Sequence, residues 1–136
     1  MRRVLRASII SLPIVLIATA SLFAQAAGQS ASTFYMQYRK AFDAAKKIED
    51  VMPFMSADTT KQIQATPPAE RAQMFEMIKM MGTLTNVKIV KETKTATGAT
   101  LTVNALDSDK KNTTGTIDVV QEGGKWKIGK ESWSSQ

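Results

Sequence analysis

The chain contains no cysteine and no histidine. Disulfides and thiolate nucleophiles are therefore excluded, as are serine–histidine–aspartate and cysteine–histidine systems, and the commonest zinc and iron ligands are gone. There is no glycine-rich phosphate loop, since Gly98 and Gly123-Gly124 sit where turns account for them. No basic cluster interleaves with aromatics, which argues against nucleic acid as a partner. Internal repeats, low-complexity tracts and a dividing linker are also missing. What remains open is carboxylate chemistry, thioether chemistry or simple binding. No cofactor is expected.

The amino terminus reads as a targeting segment, Met1 to Ala26. Arg2, Arg3 and Arg6 form a basic start, Ile9 to Phe23 is an apolar run interrupted at Pro13, and Ala24-Gln25-Ala26 is a small-residue cleavage site. The apolar run falls short of the roughly 20 residues that span a bilayer, which favours a cleaved signal peptide over a retained anchor. Arg2-Arg3 matches the start of a twin-arginine signal, but the rest of that pattern is missing, so general secretion is the better reading. The expectation is an exported protein, periplasmic or secreted, that is not an integral membrane protein after cleavage. No cysteine follows the cleavage site, which excludes lipid attachment there. Removing the segment takes away three arginines and no acid, so the net charge falls from +6 to +3, an ordinary surface. Disulfides would be permitted outside the cytoplasm. Their absence leaves stability to the hydrophobic core.

Residues 27–31 read as a disordered lead-in and 32–136 as a single α+β domain. Ser32 is the expected cap of a first helix with Phe34, Tyr38, Ala41, Phe42 and Ala45 on one stripe and Arg39, Lys40 and Lys46 on the far side. Ile48, Val51, Met52, Phe54 and Met55 form a second apolar patch of one or two turns, bent at Pro53. Ser56 caps a short helix, Ala57 to Gln64. Thr66 and Pro67 open a last helix, whose stripe is Met74, Met77, Ile78 and Met81 and whose stop is Gly82.

From Asn86 to Trp133 the period changes from helical to alternating, giving four antiparallel strands. Val87 and Ile89, then Leu101, Val103 and Ala105, then Ile117 and Val119, then Trp126 and Ile128 face inward. The Gly123-Gly124 hairpin sets Gln121 opposite Trp126 and Val119 opposite Ile128. A three-residue loop, Ala96-Thr97-Gly98 with Gly98 left-handed, closes the first hairpin, and Asp107 to Lys110 holds the middle turn. Val90 breaks the alternation. A bulge at Gly129 would reverse the phase, which leaves the facing of Trp133 open.

Helices followed by a four-strand meander resemble the nuclear transport factor 2-like superfamily, in its small exported bacterial members of unassigned function. The likeness is carried by Tyr38-Arg39-Lys40-Ala41-Phe42, by Thr66-Pro67-Pro68-Ala69-Glu70-Arg71, and by Gly123-Gly124-Lys125-Trp126-Lys127-Ile128 to Trp133. It implies N-terminal helices packed on one face of a curved sheet, closed into a cone that sometimes holds a pocket, with the cystatin-like arrangement as a neighbour. It also implies that a homodimer through the open sheet face is an option, although that face here is polar.

Three functions compete. Some members of the superfamily are isomerases or dehydratases with an Asp base and a Tyr donor. Here the strand acid Asp118 falls on the polar face, Asp43 and Asp50 look solvent-facing, and Tyr35 and Tyr38 lie on the first helix, so no catalytic residue is assigned. Met52, Met55, Met74, Met77, Met80 and Met81 could in principle hold Cu(I). Helical spacing with Ile78 explains part of that set as core packing, and no metal ligand is assigned. The favoured expectation is a non-enzymatic exported domain that binds a small apolar ligand or a protein partner, with Tyr38, Met77, Met81 and Trp126 as walls of any pocket.

Overall fold

The Gly123-Gly124 turn organises the sheet. Both glycines have positive φ, 57° and 76°, and the hairpin they close pairs Gln121 with Trp126 and Val119 with Ile128. In the structure, a computed structural model that describes residues 28–136, four strands follow one another as an antiparallel meander in the order β1-β2-β3-β4. They are β1 (Thr85–Lys94), β2 (Gly98–Leu106), β3 (Asn112–Glu122) and β4 (Lys125–Ser135). Among the described residues three helices precede them: α1 (Ala31–Ala44), α2 (Ala57–Ala65) and α3 (Pro68–Met81). Two short 3-10 turns, Ile48–Asp50 and Met52–Phe54, join α1 to α2. The class is α+β with the helices before the strands. The expected targeting segment lies outside the described residues.

One face of the sheet and the helices make the core. Leu101, Val103, Ile117 and Val119 are fully buried, and they pack with Phe34, Tyr35, Tyr38, Phe42, Val51 and Phe75. This is the inward set that alternation specifies for a sheet covered on one side. Beyond Pro53, Met55 bridges Ile128, and the Ser56 amide donates to the Ile128 carbonyl at 2.9 Å. That contact covers part of the β4 edge, which would otherwise offer unpaired backbone groups to another chain.

Several local expectations are corrected. α1 is capped by Ser30, whose hydroxyl accepts from the Thr33 amide, and Ser32 lies inside the helix. Arg39, placed on the polar side, is buried. Pro67 caps α3 and Pro68 is its first residue, while the Thr66 hydroxyl donates backward to the Gln62 carbonyl at the end of α2. Gly82 ends α3 without a left-handed turn, at φ −90°. Gly98 has no positive φ and pairs with Val120 as a strand residue. A Cβ there would fall 2.0 Å from the Val119 carbonyl oxygen, so close backbone approach and not turn geometry requires glycine. The phase of β1 is set at Val90, which is skipped between the Ile89–Val103 and Lys91–Thr102 pairs. Beyond that bulge Glu92 stands opposite Leu101.

The stripe on α3 is rotated from the one expected. Phe75 is the buried residue, with Met74 and Ile78 partly buried beside it, whereas Met77 and Met81 are 56% and 67% exposed. The large ring of Phe75 takes the core position by meeting Phe42 edge-on, centroids 6.2 Å apart.

Candidate functional site

The site begins with one extra residue in β4. Val119 pairs with Ile128 but Asp118 pairs with Lys130, so Gly129 is bulged out of the ladder. An inserted residue reverses which side chains face which way. Beyond it, Glu131 stands opposite the buried Ile117, and Trp133 stands opposite Gly115. Both therefore face the helices. Gly115 makes room for the indole, since a Cβ there would lie 2.6 Å from Trp133 Cζ3.

α1 supplies the partners of Glu131. Tyr35 and Tyr38, three residues apart, share one helix face. Tyr35 donates its hydroxyl to Glu131 Oε1 at 3.0 Å, and Tyr38 donates to Oε2 at 3.0 Å. Both rings are buried. Burial, and after it the Glu131 carboxylate, push both hydroxyls well above the ordinary tyrosine range, so both stay protonated donors. Aromatic contacts fix their rings: Tyr38 lies 5.9 Å from Tyr35, 6.1 Å from Phe42 and 6.0 Å from Phe54 between centroids.

Arg39 lies next along the helix. Its Nη2 donates to the Gly82 carbonyl at 3.0 Å and to Asp43 Oδ1 at 3.3 Å. Its guanidinium carbon sits 4.8 Å from the Phe42 ring centre. Its Nε is buried and has no partner among the described residues. Lys79 of α3 closes the end of α1 by donating to the Phe42 and Asp43 carbonyls at 2.8 and 2.9 Å, where a cation suits the helix dipole.

Between these elements is a cavity of about 310 Å³. Phe42, Ile78, Met81, Leu84 and Trp133 give it apolar walls, while Arg39, Glu131, Asp107, Thr113 and Ser135 are its polar members. Asp107 is already engaged, because its Oδ1 accepts from the amides of Asp109 and Lys111 in the turn after β2.

Of the four expected wall residues, only Met81 borders this cavity. Tyr38 lies beneath it, bound to Glu131. Trp126 belongs to a separate open cleft of about 800 Å³ at the other end of the sheet, with Glu92, Lys94 and Gln121, and its indole donates to the Gln29 carbonyl at 2.7 Å. Met77 points outward from α3. Asp118 stays on the outer face, accepting from the Thr100 hydroxyl at 2.9 Å. The methionines divide, with Met52, Met55 and Met74 packing against the core and Met77, Met80 and Met81 lying exposed. Sequence reasoning missed Glu131, Arg39 and Trp133. The glycine inside β4, which left the facing of Trp133 open, was one signal that could have found Glu131.

Comparison with known proteins gives a family and no activity. The family model described as a domain of unknown function (DUF4878) matches residues 27–129. No curated protein matches the chain. No solved structure matches it.

Proposed function

We propose that this chain, which belongs to the DUF4878 family, is an exported, non-enzymatic binding domain of nuclear transport factor 2-like architecture. It holds a small, largely apolar molecule in the cavity between α1, α3 and the end of β4. The observation that carries this reading is the cavity itself: about 310 Å³ with one aliphatic-aromatic wall and a few convergent polar groups, the usual make-up of a small-molecule site. Export is supported by the segment Met1 to Ala26, and the family match begins at residue 27, directly after it. Sequencing the amino terminus of envelope-purified protein tests that part, with Ala27 as the expected first residue.

Toluene is a suitable first probe, since a dry cavity of about 150 Å³ already admits benzene. Titrated into the protein, it shifts the Trp133 indole N–H resonance and leaves that of Trp126 in place. Leu84→Trp, which fills the cavity, abolishes the shift. A Trp133 resonance that stays still at saturating toluene refutes the reading.

A second reading draws on the carboxylate enclosed beside two tyrosine hydroxyls, a set of groups that acid–base isomerases also use. The wiring here differs. Each hydroxyl is spent on Glu131, so neither is free to donate to a substrate oxygen, as general acid catalysis requires. Deuterium exchange at the α-carbon of 2-octanone separates the two readings. Exchange that disappears in Glu131→Gln favours an enzyme, and binding without exchange favours a carrier.

A further inference from the structure

The cleft at the other end of the sheet stands apart from the cavity between α1 and α3 and has a different chemistry. Its one large apolar side chain is Trp126. The indole is half-buried and packs against the core. Its N–H is held by the Gln29 carbonyl at 2.7 Å, which fixes the ring where it lines the cleft. Around it stand Glu92, Lys94, Thr95, Thr97 and Gln121, all exposed. Backbone bonds hold their loops in place: the Thr95 amide donates to the Gly98 carbonyl at 3.0 Å, and the Gln121 amide donates to the Thr97 carbonyl at 2.9 Å. The side chains of Lys94, Thr95, Thr97 and Gln121 make no hydrogen bond or ion pair among the described residues. Glu92 takes both of its bonds, from the Ser32 amide at 3.1 Å and from the Ser32 hydroxyl, on Oε2, which leaves Oε1 open.

These exposed groups are answered by water, and a ligand hydroxyl can replace that water with the same hydrogen bonds. The set is mixed. Glu92 accepts, Lys94 donates, and the Gln121 amide and the two threonine hydroxyls do both. Glu92 and Lys94 are opposite in sign, so a charge of either sign on the ligand gains at one and loses at the other. A purely apolar ligand would cover these groups and return no hydrogen bond. We propose that this cleft is a second binding site and that it takes a neutral sugar chain of gluco configuration, with one ring lying on the Trp126 indole. Such a ring carries its hydroxyls equatorially as a polar rim and axial C–H groups on its faces. A face meets the electron-rich indole surface, and the rim meets the donors and acceptors around it. At about 30 Å³ for each water-sized group, the cleft of about 800 Å³ holds roughly two hexose rings.

Cellobiose and N,N′-diacetylchitobiose are the probes, titrated into the whole protein. The chain has two tryptophans, Trp126 and Trp133, so their indole N–H resonances report which site is filled. At least one disaccharide is expected to shift Trp126 and to leave Trp133 in place, and the difference between the two reads the substituent preferred at the second carbon. Calorimetry then measures the variants. Gln121→Ala, at an exposed side chain, weakens binding about fivefold, the worth of one hydrogen bond. Trp126→Leu keeps an apolar group against the core but removes the ring, so binding is lost, with thermal melts confirming that both variants fold. Acetyl-dialanine amide is the competing class of ligand: a Trp126 shift with it and none with the disaccharides assigns the cleft to a peptide and overturns the inference. No Trp126 shift with either disaccharide overturns it as well, as does sugar binding unchanged in both variants. Each of these failures leaves the apolar cavity, read at Trp133, as it stands.

Discussion

Raising the pH tests the Glu131 clamp directly. Tyr35 and Tyr38 are the only tyrosines in the chain, so tyrosinate absorbance reports this site and nothing else. In the unfolded chain both hydroxyls ionise near their ordinary value of about 10. In the folded protein burial and Glu131 hold that ionisation to higher pH. Between the two values the folded state binds more protons than the unfolded state. Stability is therefore fully present below about pH 10 and falls as pH rises beyond it. Each group contributes a slope of about 1.4 kcal/mol per pH unit, so the pair removes about 4 kcal/mol between roughly pH 9 and pH 11.5. That is a large share of the ~5–15 kcal/mol that holds a domain of this size together. Urea unfolding followed by tryptophan fluorescence across this range measures the loss, and the Tyr35→Phe, Tyr38→Phe double variant supplies the reference. The double variant is less stable at neutral pH, because Glu131 loses two hydroxyl donors at about 1.5–3 kcal/mol each, but its alkaline slope is shallower by the tyrosine contribution. Tyrosinate absorbance should appear together with unfolding. Absorbance rising near pH 10 while fluorescence still reports the native state would refute the enclosed pair.

Three other changes follow from the geometry. Gly115→Ala places a methyl group against the Trp133 ring and should cost about 1–3 kcal/mol by overpacking; urea unfolding measures it, and adding Trp133→Leu should recover part of the loss. Deleting Gly129 removes the unpaired residue and keeps Lys130 opposite Asp118, Glu131 opposite Ile117 and Trp133 opposite Gly115; cooperative melting and the late tyrosine ionisation are expected to persist, and their loss would show that the bulged backbone itself is needed to set the site. Dilute hydrogen peroxide should oxidise Met80, Met81 and Met77 first, at 72%, 67% and 56% exposure, and Met52, Met55 and Met74 later; peptide mass spectrometry gives the order.

The fold was legible where a single rule operated over several residues. Leu101, Val103, Ile117 and Val119 follow the period of a half-covered strand without interruption, and all four are fully buried. The Gly123-Gly124 pair fixed its register because few other sequences accept positive φ at both positions. The reading failed where two apolar patterns competed on one helix. On α3, Met74, Met77, Ile78 and Met81 offer an aliphatic stripe and Phe75 offers one ring a step away. Periodicity weighs them alike, but packing does not, because the ring finds Phe42 across the core. Buried Arg39 failed for a related reason. Its cost is met by Asp43, the Gly82 carbonyl and the Phe42 ring, and the Gly82 carbonyl is brought to it by tertiary contact alone.

Glu131 was hidden by a change of phase, and yet the sequence carried a reason to look for it. Tyr35 and Tyr38 sit three apart on a helix whose apolar stripe faces the sheet, so both hydroxyls enter a region where no water answers them. A pair of buried hydroxyls requires an acceptor. With no histidine in the chain, the opposing strands can supply one chiefly through a carboxylate or an amide. Strict alternation sends every strand acid outward, Asp118 included, and brings in only the amide of Gln121, opposite Trp126. Only a break in phase brings an acid in, and β4 contains a glycine, Gly129, two residues before a glutamate. Hydrogen-bond satisfaction on α1 is therefore a reason to place a bulge on β4, an inference across elements that neither the helical nor the strand period makes by itself.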